Sequence, residues 1–202
     1  MLNNDINGVI FSFLESGDAY LFGLTSSSNY DIFSCMFCCK LKLTKAICSS
    51  TNTFKYVVKK LNYKISEKSF ATIIKFGNLE SVKFIRHNKN FKLTTPLANI
   101  ASKNGHLEIL KWLHDNGCPW DERACVAAAR GGHLEILKWL REHECPWNEW
   151  ACAGAAEGGH FEILKWLHDN DCTWNASTCA AAARGGHLKI LKWLREHECP
   201  WD

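Results

Sequence analysis

A 27-residue unit recurs down the second half of this chain almost unchanged. The motif Gly105-His106-Leu107-Glu108-Ile109-Leu110-Lys111-Trp112-Leu113 returns at residues 132–140, 159–167 and 186–194. Self-similarity at a fixed period of this length marks stacked supersecondary units, each sharing its apolar core with its neighbours. Such a chain presents a long surface in place of a single cleft, so its function is sought in what that surface holds.

Residues 121–147 illustrate the unit. Asp121 is placed to cap a helix through Glu122, Arg123, Ala124, Cys125, Val126 and the Ala127-Ala128-Ala129 run. The alanines favour helix and keep its cross-section small, which lets a neighbouring helix approach closely. Gly131-Gly132 ends that helix, because glycine accepts the positive φ of a C-terminal cap. A second helix is predicted over 133–143, with Leu134, Ile136, Leu137, Trp139 and Leu140 on its apolar face and Glu135, Lys138 and Arg141 toward water. Cys145-Pro146-Trp147 stops it, since proline cannot continue a helix. One such pair cannot bury its own stripe, but a stack of pairs can.

The stretch Ala128-Ala129-Arg130-Gly131-Gly132-His133-Leu134-Glu135-Ile136-Leu137-Lys138 resembles the inter-helix turn and second helix of the ankyrin repeat. The resemblance covers four units over residues 94–202, and a weaker unit precedes them at Phe76-Gly77-Asn78-Leu79-Glu80-Ser81-Val82-Lys83-Phe84-Ile85. It implies an all-α solenoid of helix-turn-helix repeats. Two departures qualify it. Ankyrin repeats usually have about 33 residues, and the segment missing here falls where that family places its β-turn finger. The Thr-Pro-Leu-His that opens the family's first helix is replaced by Arg123-Ala124-Cys125-Val126, Trp150-Ala151-Cys152-Ala153 and Ser177-Thr178-Cys179-Ala180. The pattern looks closer to the short, Cys-Pro-Trp-rich ankyrin-like arrays of large DNA viruses and some protists.

Charge is unevenly spread around a net of +3. Residues 1–39 hold four acids and no Lys or Arg, residues 40–92 hold 13 bases and two acids, and residues 93–202 hold 11 bases and 15 acids. The basic middle could attract nucleic acid or an acidic partner, but it has no run of four basic residues, and a solvated lysine surface is the favoured reading. No apolar run reaches the ~18 residues of a membrane span. Without a charged leader, the expectation is a cytoplasmic or nuclear protein of a eukaryotic or virus-infected cell, with no membrane partner.

Seven of the eleven cysteines follow the repeat, at 118, 145, 172 and 199 in the loop and at 125, 152 and 179 in the first helix. A small apolar residue recurring once per unit reads as packing, so these are expected to be reduced, metal-free thiols. The array has no Cys-x-x-Cys, which argues against zinc. Cys35-x-x-Cys38-Cys39 has closer ligand spacing but no second pair. Among the histidines, His106, His133, His160 and His187 hold register; each is expected to bond backbone or pack at the turn. The Gly-Gly turns follow no strand and precede no Lys-Ser or Lys-Thr, so they are not phosphate loops. No Gly-x-Ser-x-Gly, His-Glu-x-x-His or paired-carboxylate pattern appears. The chain is expected to be no enzyme and to need no cofactor or metal.

Two tryptophan series step by the same period: Trp112, Trp139, Trp166 and Trp193 on the second helix, and Trp120, Trp147, Trp174 and Trp201 in the loop. Packing in the core or between units explains both. Trp150 stands outside them, where other units carry Arg123 or Ser177. A large aromatic at a variable helix position is a candidate contact residue. Arg123, Trp150, Asn175 and Ser177 are therefore the candidate partner-binding positions, on the face of first helices and short loops.

Residues 1–66 do not repeat and read as short helices. Leu2-Asn3-Asn4-Asp5-Ile6 through Ser12-Phe13-Leu14 resembles the first helix of an F-box, and residues 18–24 its second, although the usual Leu-Pro start is missing. The other reading is a helical cap over the apolar end of the array, which solenoids require. The expected organisation is thus a helical region over 1–66 and about five ankyrin-like units over 67–202. Protein–protein binding is the expected function. The alternatives are a ubiquitin-ligase substrate adaptor that docks through residues 1–40, and nucleic-acid binding through 40–92. Leu188, Ile190, Leu191 and Trp193 repeat the internal apolar pattern unchanged, so uncovered apolar surface there is expected to fray, self-associate or meet a partner.

Overall fold

The computed structural model describes Thr51, Lys55, Val58 and residues 65–88 and 91–201. The F-box-like stretch and the Cys35-x-x-Cys38-Cys39 cluster lie outside the described residues. Every element among those residues is an α-helix, as the 3.6-residue periodicity predicts.

Two compact units divide the chain, residues 1–91 and 92–202. In the first, α1 (Glu67–Phe76) and α2 (Leu79–Asn88) form a hairpin. Ser66 caps α1 by accepting a bond from the Ser69 amide, and Gly77 ends it at φ 83°. Phe70, Ile73, Ile74, Val82 and Ile85 are buried.

The second unit contains α3 (Thr95–Lys103), α4 (Leu107–Asp115), α5 (Glu122–Gly131), α6 (Leu134–Glu142), α7 (Glu149–Gly158), α8 (Phe161–Asp169), α9 (Ala176–Arg184) and α10 (Leu188–Glu196). Odd and even members pair as hairpins, and each odd helix also packs on the odd helix of the next pair. Asp121, Asn148 and Asn175 hold extended backbone and cap α5, α7 and α9, each accepting a bond from the amide two residues on. Gly132 and Gly159 end α5 and α7 in the left-handed region. The even helices start one residue later than the pattern suggests, because His106, His133, His160 and His187 serve as their N-cap residues.

Small residues let the odd helices form a close layer. Ala124, Cys125, Ala128 and Ala129 of α5 are buried, and in α7 all of Ala151, Cys152, Ala153, Gly154, Ala155 and Ala156 are. Both helices lie between two other odd helices, and α7 differs in carrying Ala153-Gly154 where α5 has Val126-Ala127. A Cβ on Gly154 would come within 3.0 Å of the Val126 carbonyl oxygen, so even alanine is crowded there. Under this layer Ile136, Leu137 and Leu140 of α6 and Ile163, Leu164 and Leu167 of α8 are buried, each contributing ~1.5–3 kcal/mol relative to exposure. The second-helix tryptophans stay half-buried and pack between units: Trp139 meets Trp120 edge-on at 5.5 Å.

A histidine links each pair to the one before. His133 Nε2 lies 3.0 Å from the Lys103 carbonyl oxygen, His160 Nε2 3.1 Å from that of Arg130, and His187 Nε2 3.1 Å from that of Glu157. These carbonyls close the preceding odd helices, where backbone acceptors otherwise lack helical partners. The imidazole ring occupies the space above the glycines: a Cβ on Gly132 would meet His160 Cε1 at 2.6 Å, and one on Gly158 would meet the Arg130 carbonyl oxygen at 2.6 Å. The Gly-Gly turn thus serves its own backbone and the next unit's histidine together.

Candidate interaction surface

The N-cap of each odd helix fixes where its first turn points, and those first turns align along the stack. Arg123 on α5, Trp150 on α7 and Ser177 on α9 occupy one register position. Trp150 is 53% exposed, among the few large apolar side chains so placed. Its amide is held by Asn148 Oδ1 at 3.2 Å, so the backbone beneath the indole is fixed. Arg123 extends into solvent and its Nε donates to Asp121 Oδ2 at 3.0 Å. The guanidinium bond holds the Asp121 carboxyl below its usual range. Ser177 is half-buried, and its amide donates to Asn175 Oδ1 at 2.9 Å. Asn175 is the N-cap of α9, equivalent to Asp121 and Asn148. Three of the four sequence candidates therefore share a row, while the fourth positions it. Farther along the same helices, Arg130 and Glu157 form an ion pair at 2.7 Å between neighbouring units.

The opposite edge, built from even helices and loops, carries an aromatic ladder that alternates from unit to unit. His114 stacks flat on Trp120 at 4.2 Å, and Trp139 and His143 pack edge-on against His114 at 5.7 and 5.6 Å. The arrangement returns at His168, Trp174, Trp193 and His197. At the intervening junction Arg141 lies over Trp147 at 4.1 Å, and Trp147 meets Trp166. These histidines lie outside the once-per-unit register of His106, His133, His160 and His187. Their signal is an alternation over two units: His114 and His168 share one position, His143 and His197 another. These rings pack on one another across the units and hold them together.

The loop cysteines close each unit. Cys118, Cys145, Cys172 and Cys199 donate from Sγ to the carbonyls of Thr94, Asp121, Asn148 and Asn175, at 3.4–3.6 Å. Burial pushes the Cys118 thiol up to about 11 and the Cys199 thiol up to about 12. Among the described residues no three His, Cys, Asp or Glu side chains converge as metal ligands, and no helix is long and apolar enough to cross a membrane.

Helix pairs that repeat in register, share one core and link through a turn histidine define a helical repeat solenoid. Residues 69–149 match the family model for ankyrin repeats (3 copies), and residues 149–195 match that for ankyrin repeats (many copies). The chain belongs to the ankyrin-repeat family. Members of that family are generally non-catalytic modules that bind proteins. No curated protein matches the chain. The short period has its structural counterpart in the loops at 116–121, 143–148 and 170–175, which pass directly to the next N-cap with no finger strand.

Proposed function

We propose that residues 92–202 form a protein-binding surface on their odd helices, with Trp150 as the anchor. The observation that carries this reading is the indole at 53% exposure on a backbone fixed by its N-cap. Aromatic side chains on rigid elements supply large contact area at small entropic cost, and they dominate many interfaces. Arg123 and Ser177 flank the indole along the stack, and Asn175 sets the turn that presents Ser177. On the even-helix edge the exposed apolar side chains, Leu188 and Trp201, lie only in the last unit, whereas Trp150 sits in the middle of the odd-helix layer. The chain acts as a scaffold without chemistry of its own, in the cytoplasm or nucleus.

Affinity capture with the full chain and with Trp150→Ala tests this. The variant is expected to lose the captured protein while its stability changes by under about 1 kcal/mol, as for an exposed site. Capture undiminished by the substitution contradicts the proposed anchor. A second reading rests on the F-box-like pattern of residues 2–24 and makes the chain a substrate adaptor. Recovery of cullin-ligase subunits, lost when residues 1–40 are removed, supports it. Binding that weakens steeply with salt and is lost on neutralising lysines of 40–92 points instead to nucleic acid.

A further inference from the structure

Three units carry a second cysteine, 20 residues before the loop cysteine. Cys179 Sγ and Cys199 Sγ lie 3.2 Å apart. Cys125 and Cys145, and Cys152 and Cys172, hold the same two register positions, and Cys152 Sγ donates to the Cys172 carbonyl oxygen at 3.8 Å. All six are free and buried. Cys118 has no such companion: Ala98 stands at the matching position, and its sulfur donates to the Thr94 and Pro119 carbonyls. The first pair shows that packing at this position is satisfied by a methyl group. The sulfur in the other three therefore adds something that volume alone does not require.

We propose that Cys125 with Cys145, Cys152 with Cys172 and Cys179 with Cys199 are dithiol sites that a small disulfide, such as oxidised glutathione, converts to intra-unit disulfides. A disulfide needs about 2.0 Å between sulfurs, so the 3.2 Å pair must close by little more than an ångström. The loop cysteine loses its proton to water and attacks one sulfur of the oxidant. The oxidant's S–S bond breaks and one thiolate leaves. The first-helix cysteine, deprotonated in turn, attacks the loop sulfur of the mixed disulfide and expels the second thiolate. The protein gives up two electrons and two protons per pair, and the oxidant becomes two thiols.

Access sets the order. Cys199 is 2% exposed but borders a cavity of about 390 Å³ with Arg195, Glu198 and Trp201, so its sulfur comes within reach of an oxidant with the least local opening. Cys125, Cys145 and Cys152 are fully buried, and their pairs react only when a unit opens. Burial holds the Cys199 thiol protonated, whereas its bond with Cys152 lowers the Cys172 thiol, so reaction at Cys199 is slow under reducing conditions and is confined to oxidising ones. Each bond ties an odd helix to the loop that follows its partner, stiffening the layer that carries Arg123, Trp150 and Ser177.

The test uses the purified full chain, equilibrated at rising ratios of oxidised to reduced glutathione, then alkylated, digested and mapped by mass. The Cys179–Cys199 link is expected first, the Cys152–Cys172 and Cys125–Cys145 links later, no intramolecular link at Cys118, and a rise in unfolding temperature with each bond. Cys179→Ala, which places in the last pair the residue found at 98, is expected to leave a stable glutathione adduct on Cys199. A persistent adduct on Cys199 of the unaltered chain, links between different units, or six thiols still alkylated under fully oxidising conditions each overturn the proposal.

Discussion

Glu144, Asp171 and Glu198 adopt φ between 57° and 60°, where the first pair has Gly117 at 75°. The left-handed residue lets the chain turn back at the end of each even helix, so that the Cys145 amide bonds the Leu140 carbonyl at 2.9 Å. A side chain in this region costs roughly 1–2 kcal/mol, partly offset by the ~0.5–1 kcal/mol that glycine loses in unfolded-state entropy. Glu144→Gly is therefore expected to stabilise the chain by about 0.5–1 kcal/mol, read from the denaturant midpoint. Destabilisation would mean that the Glu144 side chain makes a compensating contact. Asn175 teaches the complementary lesson. Its variation among units suggested a contact residue, but Asp121, Asn148 and Asn175 share an N-cap role that either residue type fills. Sequence variation at one position is readable; whether it reflects a partner or interchangeable cap chemistry depends on backbone geometry.

At the scale of the helix pair, the decisive element is the Gly-Gly turn with the next unit's histidine above it. Gly132 and Gly186 have similar positive φ, 84° and 72°. A Cβ on Gly132 would strike the His160 ring, whereas one on Gly186 would meet nothing within 4 Å. Gly186→Ala should carry only the backbone cost of about 1–2 kcal/mol. Gly132→Ala should cost a further ~1–2 kcal/mol, because displacing the ring also weakens the bond to the Arg130 carbonyl. Equal losses in parallel denaturant melts would remove the histidine from the account of inter-unit register. The turn was legible in the sequence, because glycine at a helix end has one main use. The histidine was legible only as a residue that bonds backbone somewhere. Its acceptor lies 30 residues back in the preceding unit, and helix periodicity carries no information about which groups meet across a stack.

Across residues 92–202, the period, the helix pairs and the aliphatic core could all be read from one repeated motif, since each apolar stripe has no other place to be buried than against its neighbours. The alternating ladder was harder to see. Its members recur over two units, and their interlocking depends on rings from adjacent pairs meeting at right angles. The cysteine pairs were hidden for a similar reason: Cys179 and Cys199 lie 20 residues apart, and a helix, a turn and a second helix must be built before the sulfurs meet. The odd helices are the proposed binding face, with Trp150, 53% exposed, as its anchor. A photoreactive amino acid placed at the exposed position 123 on α5, with Trp150 retained, and separately at the exposed position 135 on α6, tests that assignment most directly. Irradiation in cell extract is predicted to give one discrete protein adduct from position 123 and none from 135. The same adduct from both positions, or an adduct from 135 alone, would contradict binding through the odd-helix face.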